Sequence, residues 1–198
     1  MNKIGKYTRE LSIVVVGVAI TLSIGVWIAN INNKKDIKLY LETIKLELEE
    51  NISKIEKNIE DWQGSVRYAN YLRLNDKEAL EQDSIWSFGG GTFYGLQYVT
   101  PSTTAFEMFK ISGLMRLMND KKLLLSICKA YEGLDAYSLY LEEVRKFKSA
   151  EMIKDMEDPS KWAIPMYNFF AKTSTPSEVV RISKYYSEIL KKTASDLE

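Results

Sequence analysis

Residues 11–31 read LSIVVVGVAITLSIGVWIANI, 21 residues without a charge. As a helix rising 1.5 Å per residue, such a run covers roughly 31 Å, the thickness of a bilayer's hydrocarbon core. Lys3, Lys6 and Arg9 precede it; Lys34, Lys35 and Lys38 follow it. The competing reading is a cleaved secretory leader. The run is long for a leader, and a cut after Ala29 would put Trp27 where a small residue is wanted. We therefore expect a retained single-pass anchor in membrane lipid, preceded by a short tail at residues 1–10. The matched basic flanks say little about orientation. A short tail before a long domain favours the C-terminal part outside.

Within the run, Gly17, Thr21, Gly25 and Ala29 recur every fourth residue. This spacing lines small side chains on one helix face, where a second helix can approach closely. The face is expected to meet other membrane proteins or a second copy of the chain. Small residues are also common in membrane helices, so the same spacing arises by chance. Glu10 reads as a hydrated boundary carboxylate, because the run beyond it has no ionisable partner.

Residues 32–62 are highly charged but keep helical periodicity. Ile37, Leu41, Ile44, Leu48, Ile52, Ile55, Ile59 and Trp62 form an apolar stripe, and no Pro or Gly occurs before Gly64. This predicts an amphipathic stalk helix continuing out of the membrane. Two successive steps of four break the heptad pattern as a stutter. That favours burial against the chain's own later helices, in an antiparallel bundle, over a parallel coiled coil with another copy.

Residues 63–198 are expected to form a helical extramembrane domain packed on the stalk, making the chain mainly α. Residues 84–100, SIWSFGGGTFYGLQYVT, are the least helical stretch. A packed loop is preferred there over a short hairpin. Its aromatics Trp86, Phe88, Phe93, Tyr94 and Tyr98 are a possible pocket. The glycines lack the Lys-Ser/Thr pair of a phosphate-binding loop and the spacing of a dinucleotide fingerprint. Thr104–Glu107 and Thr175–Glu178 both fit capping boxes opening helices, the first ended by Gly113. Another helix should begin near Asn119-Asp120 and reach Lys148 or beyond, with Leu124, Ile127, Cys128, Tyr131, Leu134 and Leu141 inward. Residues 162–170, starting at Trp162, should pack on the bundle, with a short helix as one form open to them. The last helix should run over residues 176–193, with Val179, Ile182, Tyr185, Tyr186 and Ile189 inward.

The chain has 27 basic and 27 acidic side chains, no His and one Cys. Lys3, Lys6, Arg9 and Glu10 precede residue 34, leaving 24 basic and 26 acidic residues beyond it. No basic excess exists to hold nucleic acid. Without imidazole or paired thiolates, neither a common metal site nor a His-assisted nucleophile is expected, and no cofactor motif is present. Cys128 reads as a small core residue. Ser126 and Lys129 have S-x-x-K spacing without accompanying motifs. The acidic runs at residues 47–50 and 155–158 read as solvated faces. The sequon at Asn51 is discounted because it falls on a predicted helix.

Several residues carry a family resemblance. They are Lys6-Tyr7, Arg9-Glu10, residues 14–20, Trp27, Asn30, Lys34-Lys35, Tyr40-Leu41, Ile44-Lys45, Glu47-Leu48 and Asn51. A second patch comprises Ala105-Phe106-Glu107, Ser112-Gly113, Leu117-Met118, Asn119 and Leu123. With these the chain resembles an uncharacterised Bacteroidota family of small single-pass membrane proteins. In that family Asn precedes the membrane-end Trp, where Gly25-Val26 stand here. The resemblance implies a bacterial inner-membrane anchor and a helical periplasmic domain, with no catalytic residues to carry over. The expected function is a non-catalytic envelope protein, an accessory or scaffold subunit of a membrane complex. The alternative is an anchored periplasmic sensor or ligand-binding module.

Overall fold

A computed structural model describes residues 3–96, 99–158 and 163–197. Tyr98 and Trp162 lie outside the described residues. The elements are α1 (Lys3–Leu74), α2 (Gln82–Trp86), α3 (Gly90–Tyr94), α4 (Thr104–Ile111), α5 (Lys121–Met156), α6 (Tyr167–Lys172) and α7 (Thr175–Ser195). Two 3-10 turns, Lys77–Ala79 and Leu114–Leu117, complete the order. There is no strand among the described residues.

Anchor and stalk form one helix of 72 residues, about 108 Å at the usual rise. It passes residue 62 unbroken and stops at Leu74, just before Asn75-Asp76. The most apolar 18-residue window of α1 has a mean hydropathy of 2.2, and 0% of it is buried. This segment is long and apolar enough to cross a membrane, and it adds nothing to the domain's core.

The core begins at the stalk. One line of its buried positions runs Ile44, Leu48, Asn51, Ile55, Asn58, Trp62, Ser65, Ala69 and Leu72, alternating steps of four and three, with Glu47 and Tyr68 buried beside it. This is a regular heptad seam. The stutter in the apolar pattern comes from Ile52 and Ile59. Both flank the seam and are half-buried, while Asn51 and Asn58 hold the seam positions beside them. On α5 the series Ile127, Ala130, Leu134, Tyr137, Leu141, Val144, Lys148 and Asp155 keeps the same register.

The seam is covered by the chain's own helices. Tyr131 meets Glu47, Tyr137 meets Asn58, and Lys148 lies over Trp62, so α5 runs parallel to α1. Ser126 meets Thr193 and Tyr137 meets Ser183, so α7 runs back antiparallel. Helix α7 lies closest to α1. Small buried side chains permit this: Ser65 and Ala69 on α1, with Ser183, Ser187 and Ala194 on α7. The wider gap between α1 and α5 is bridged by the large side chains Tyr131, Tyr137, Trp62 and Lys148.

Several expectations change in detail. Residues 84–86 and 90–94 are helical, in α2 and α3, where a packed loop is expected from the sequence. Gly89 joins them at φ 78, a left-handed backbone that glycine adopts without steric cost. Tyr185 is 59% exposed, and Ser183, Ser187 and Leu190 take the inward face of α7. Neither capping box forms. Glu107 pairs with Lys110 at 2.9 Å, and Glu178 pairs with Arg181 at 2.8 Å. The N-caps are Thr103 and Ser174, and neither side chain bonds its helix. By contrast, α5 starts where its sequence indicates. The Asp120 carboxylate accepts from the N–H groups of Lys122 (3.0 Å) and Leu123 (2.9 Å).

Candidate functional site

The acidic and basic side chains buried among the described residues are Glu47, Lys148 and Asp155. Such groups are the first place to look for chemistry. Here each one reaches the end of a short helix.

Glu47 is 7% exposed, although its acidic run reads as a solvated face. One carboxylate oxygen accepts from Ala105 N (2.9 Å) and Ser102 Oγ (2.9 Å). The other accepts from Phe106 N (3.4 Å) and Tyr131 OH (2.6 Å). It therefore stands where an N-cap side chain of α4 would stand, supplied from a helix 58 positions away in sequence. Burial and the Glu47 carboxylate both hold the Tyr131 phenol protonated, its pKa pushed far up. Beside it Asn51 clamps the Ser102 backbone, donating to its carbonyl and accepting from its N–H, each at 2.8 Å. Asn51 is thereby buried, and its sequon is closed to modification.

Asp155, also in a run read as solvated, accepts from Met166 N, where α6 begins. At the other end of α6, Arg73 donates to the carbonyls of Phe170 and Ala171 (3.1 Å each) and of Thr173. Lys148, 1% exposed, donates to Gly95 O (2.6 Å) and Thr92 O (3.3 Å) at the C-terminal end of α3. Its ammonium also lies 5.4 Å from the Trp62 ring and 5.6 Å from the Phe170 ring. Burial lowers its pKa to about 8.

Acids thus sit at helix N-termini and bases at C-termini, as the helix dipole favours. These helices, of 5, 6 and 8 residues, are too short to persist alone. Long helices supply their caps. A further polar layer joins α1, α5 and α7. Asn58 donates to Tyr137 OH (2.9 Å), which lies 2.8 Å from Ser183 Oγ.

The sequence-derived candidates fall in three places. Gly17, Thr21, Gly25 and Ala29 lie exposed on α1, with open space around a Cβ built at Gly17 or Gly25. Thr21 Oγ1 donates to Gly17 O (2.9 Å), which satisfies its hydroxyl within the helix. On the stalk, Ile44, Leu48 and Ile55 are fully buried, and Leu41, Ile52 and Ile59 are half-buried. Of the aromatics, Phe93 is fully buried against Tyr68 and Trp86. Phe88 packs on Tyr68 and Tyr71, Tyr94 edges Phe93, and Trp86 is largely exposed.

A cleft of about 350 Å³ opens between α4 and α5, lined by Phe106, Glu107, Lys110, Cys128, Glu132 and Asp135 among others. Burial and nearby Glu132 raise the Cys128 thiol pKa, so it is a poor thiolate. Among the described residues, no group of three or more His, Cys, Asp or Glu side chains is placed to share a metal ion.

The sequence reading missed Glu47, Arg73, Lys148 and Asp155. Lys148 and Asp155 continue the seven-residue spacing of Ile127, Leu134 and Leu141, which marks them as seam positions. Glu47 and Arg73 carry no such signal. No family model, curated protein or solved structure matches this chain.

Proposed function

We propose that this chain is a non-catalytic, membrane-anchored helical protein that acts as an accessory or scaffold subunit of a membrane complex. The observation that carries the reading is the single helix α1, which supplies both an unburied apolar span and the seam of the folded domain. Such a rod fixes the bundle to the lipid without a flexible joint. The use of Glu47, Lys148 and Asp155 on helix ends supports a structural role for the groups best placed to do chemistry.

In this reading residues 11–31 lie in lipid, and the face of Gly17, Thr21, Gly25 and Ala29 meets another span. A bacterial inner membrane with the bundle on the periplasmic side fits the resemblance in the sequence. The test places a photo-reactive residue at Ala29 or, on the opposite face of the helix, at Val16, in the full chain, in native membranes. Discrete adducts from Ala29 and few from Val16 are expected, with the chain staying in the pellet after alkaline extraction. Extraction into the supernatant, or monomer alone from both positions, overturns the proposal.

A further inference from the structure

Helix α4 descends along α1 towards the apolar span. Ala105 N sits at Glu47, and the Phe109 ring lies 5.4 Å from that of Tyr40. After Ile111 the chain turns at Gly113 (φ 72), passes through Leu114–Leu117 against α1, and rises again as α5. This turn is the end of the domain nearest the span. The first half-buried residue of α1 beyond Ile31 is Asn33, and Ile37 and Tyr40 follow.

The lower surface of this turn is apolar and exposed. Ile111 is 84% exposed, and Met108, Leu117 and Leu125 are largely exposed. Ile111 lies two residues below Phe109, and Tyr40 stands nine residues beyond Ile31. At 1.5 Å per residue, Ile111 sits about 10 Å past the end of the apolar run, and Asn33 about 3 Å past it. The headgroup layer on each side of a bilayer is about 5–7 Å deep, so the side chains of the turn can reach into it.

The charge around the turn differs from that of the whole chain. Residues 34–42 and 104–122 hold seven basic side chains (Lys34, Lys35, Lys38, Lys110, Arg116, Lys121 and Lys122) against four acidic ones (Asp36, Glu42, Glu107 and Asp120). The chain as a whole is formally neutral. Exposed Ile, Met and Leu among Lys and Arg are what an anionic lipid interface takes up.

We infer that the α4–α5 turn is a membrane foot, inserting Ile111 and Leu117 into the headgroup layer of the bilayer that holds the chain's own span. The inference rests on the anchor reading above. Two attachment points, span and foot, then fix the tilt of the bundle over the membrane.

The test uses the full chain in phosphatidylcholine vesicles with a minor fraction of phosphatidylglycerol. Single cysteines are placed by Ile24→Cys, Ile111→Cys, Leu117→Cys or Ile153→Cys in a Cys128→Ser background. Each is nitroxide-labelled, and its accessibility to a water-soluble nickel relaxant and to oxygen is read by power saturation. Ile24 should report lipid and Ile153 water. Ile111 and Leu117 should report interfacial depth, with nickel accessibility about fivefold below that of Ile153. Ile24 in lipid with Ile111 and Leu117 as open to nickel as Ile153 overturns the foot alone. Ile24 in water overturns the anchor, and the foot with it. Because Ile111 and Leu117 are exposed, labelling them leaves the core intact, and two independent sites guard against a local artefact.

Discussion

Glu47 has four donors on one carboxylate and holds α4 to the stalk. Replacing it with Ala strands two backbone N–H groups and two hydroxyls in a buried place. The expected cost is about 3 kcal/mol, since each unpaired buried group costs about 1 kcal/mol or more. Glu47→Gln keeps one acceptor oxygen and should lose about half as much. Chemical denaturation measures both, and hydrogen exchange at Ala105 and Phe106 should rise in the Ala variant while the α7 amides stay slow. A uniform rise would mean that Glu47 supports the whole bundle rather than α4.

Lys148 gives a pH dependence whose sign can be worked out. Its folded pKa is about 8, below the unfolded value. Between these values the unfolded chain holds a proton that the folded chain has released. Stability from this group therefore rises with pH, by up to about 3 kcal/mol from pH 8 to about 10.4. Tyr68 and Tyr131 act oppositely above about pH 10, because their raised folded pKa values keep protons that the unfolded chain loses. Relative to Lys148→Met, the parent should gain about 2 kcal/mol between pH 8 and 9.5. A flat difference across that window would place the ammonium in a far better solvated site.

Among the elements, α1, α5 and α7 are legible in sequence because each is long and periodic, and the Asp120 cap is local. Helix α3 is not, because Lys148, distant in the chain, holds its end, and the short helix open to residues 162–170 appears as α6 with its C-terminal end held by distant Arg73. The stalk stripe gave the right face but a shifted register. Hydropathy counts Ile52 and Ile59, whereas close approach of α7 selects small or hydrogen-bonding side chains at Asn58, Ser65, Ser183 and Ser187. The aromatic cluster was legible as apolar content, but not as packing against Tyr68.

Ser65 tests this seam directly. It is fully buried, and its hydroxyl has no hydrogen-bond partner among the described residues. Ser65→Ala removes that hydroxyl and adds helix propensity, so it should stabilise the fold by about 1 kcal/mol. Ser65→Leu should instead destabilise it by about 2 kcal/mol, by forcing packed helices apart. Thermal melts of the two variants separate a seam limited by space from one limited by polarity. Stabilisation by Leu would deny the tight approach of α1 and α7.

At the scale of the molecule, the division between the apolar segment and the bundle falls inside one helix, not at a linker. The apolar window of α1 is unburied, and the core takes its first fully buried residue from α1 at Ile44. Residues 34–198 therefore keep every core contact of the seam described above. Expressed alone, they should be soluble, monomeric and cooperatively unfolding, with a melting temperature within a few degrees of the full chain in detergent. The stalk residues before Ile37 should fray, because Lys34, Lys35 and Asp36 are exposed. Sedimentation velocity and circular dichroism suffice to check this. A dimer held through the stalk would return the parallel coiled coil to consideration, since Leu39 and Leu46 remain exposed on the outer face of α1. A monomer would leave self-association, where it occurs, to the face of Gly17, Thr21, Gly25 and Ala29.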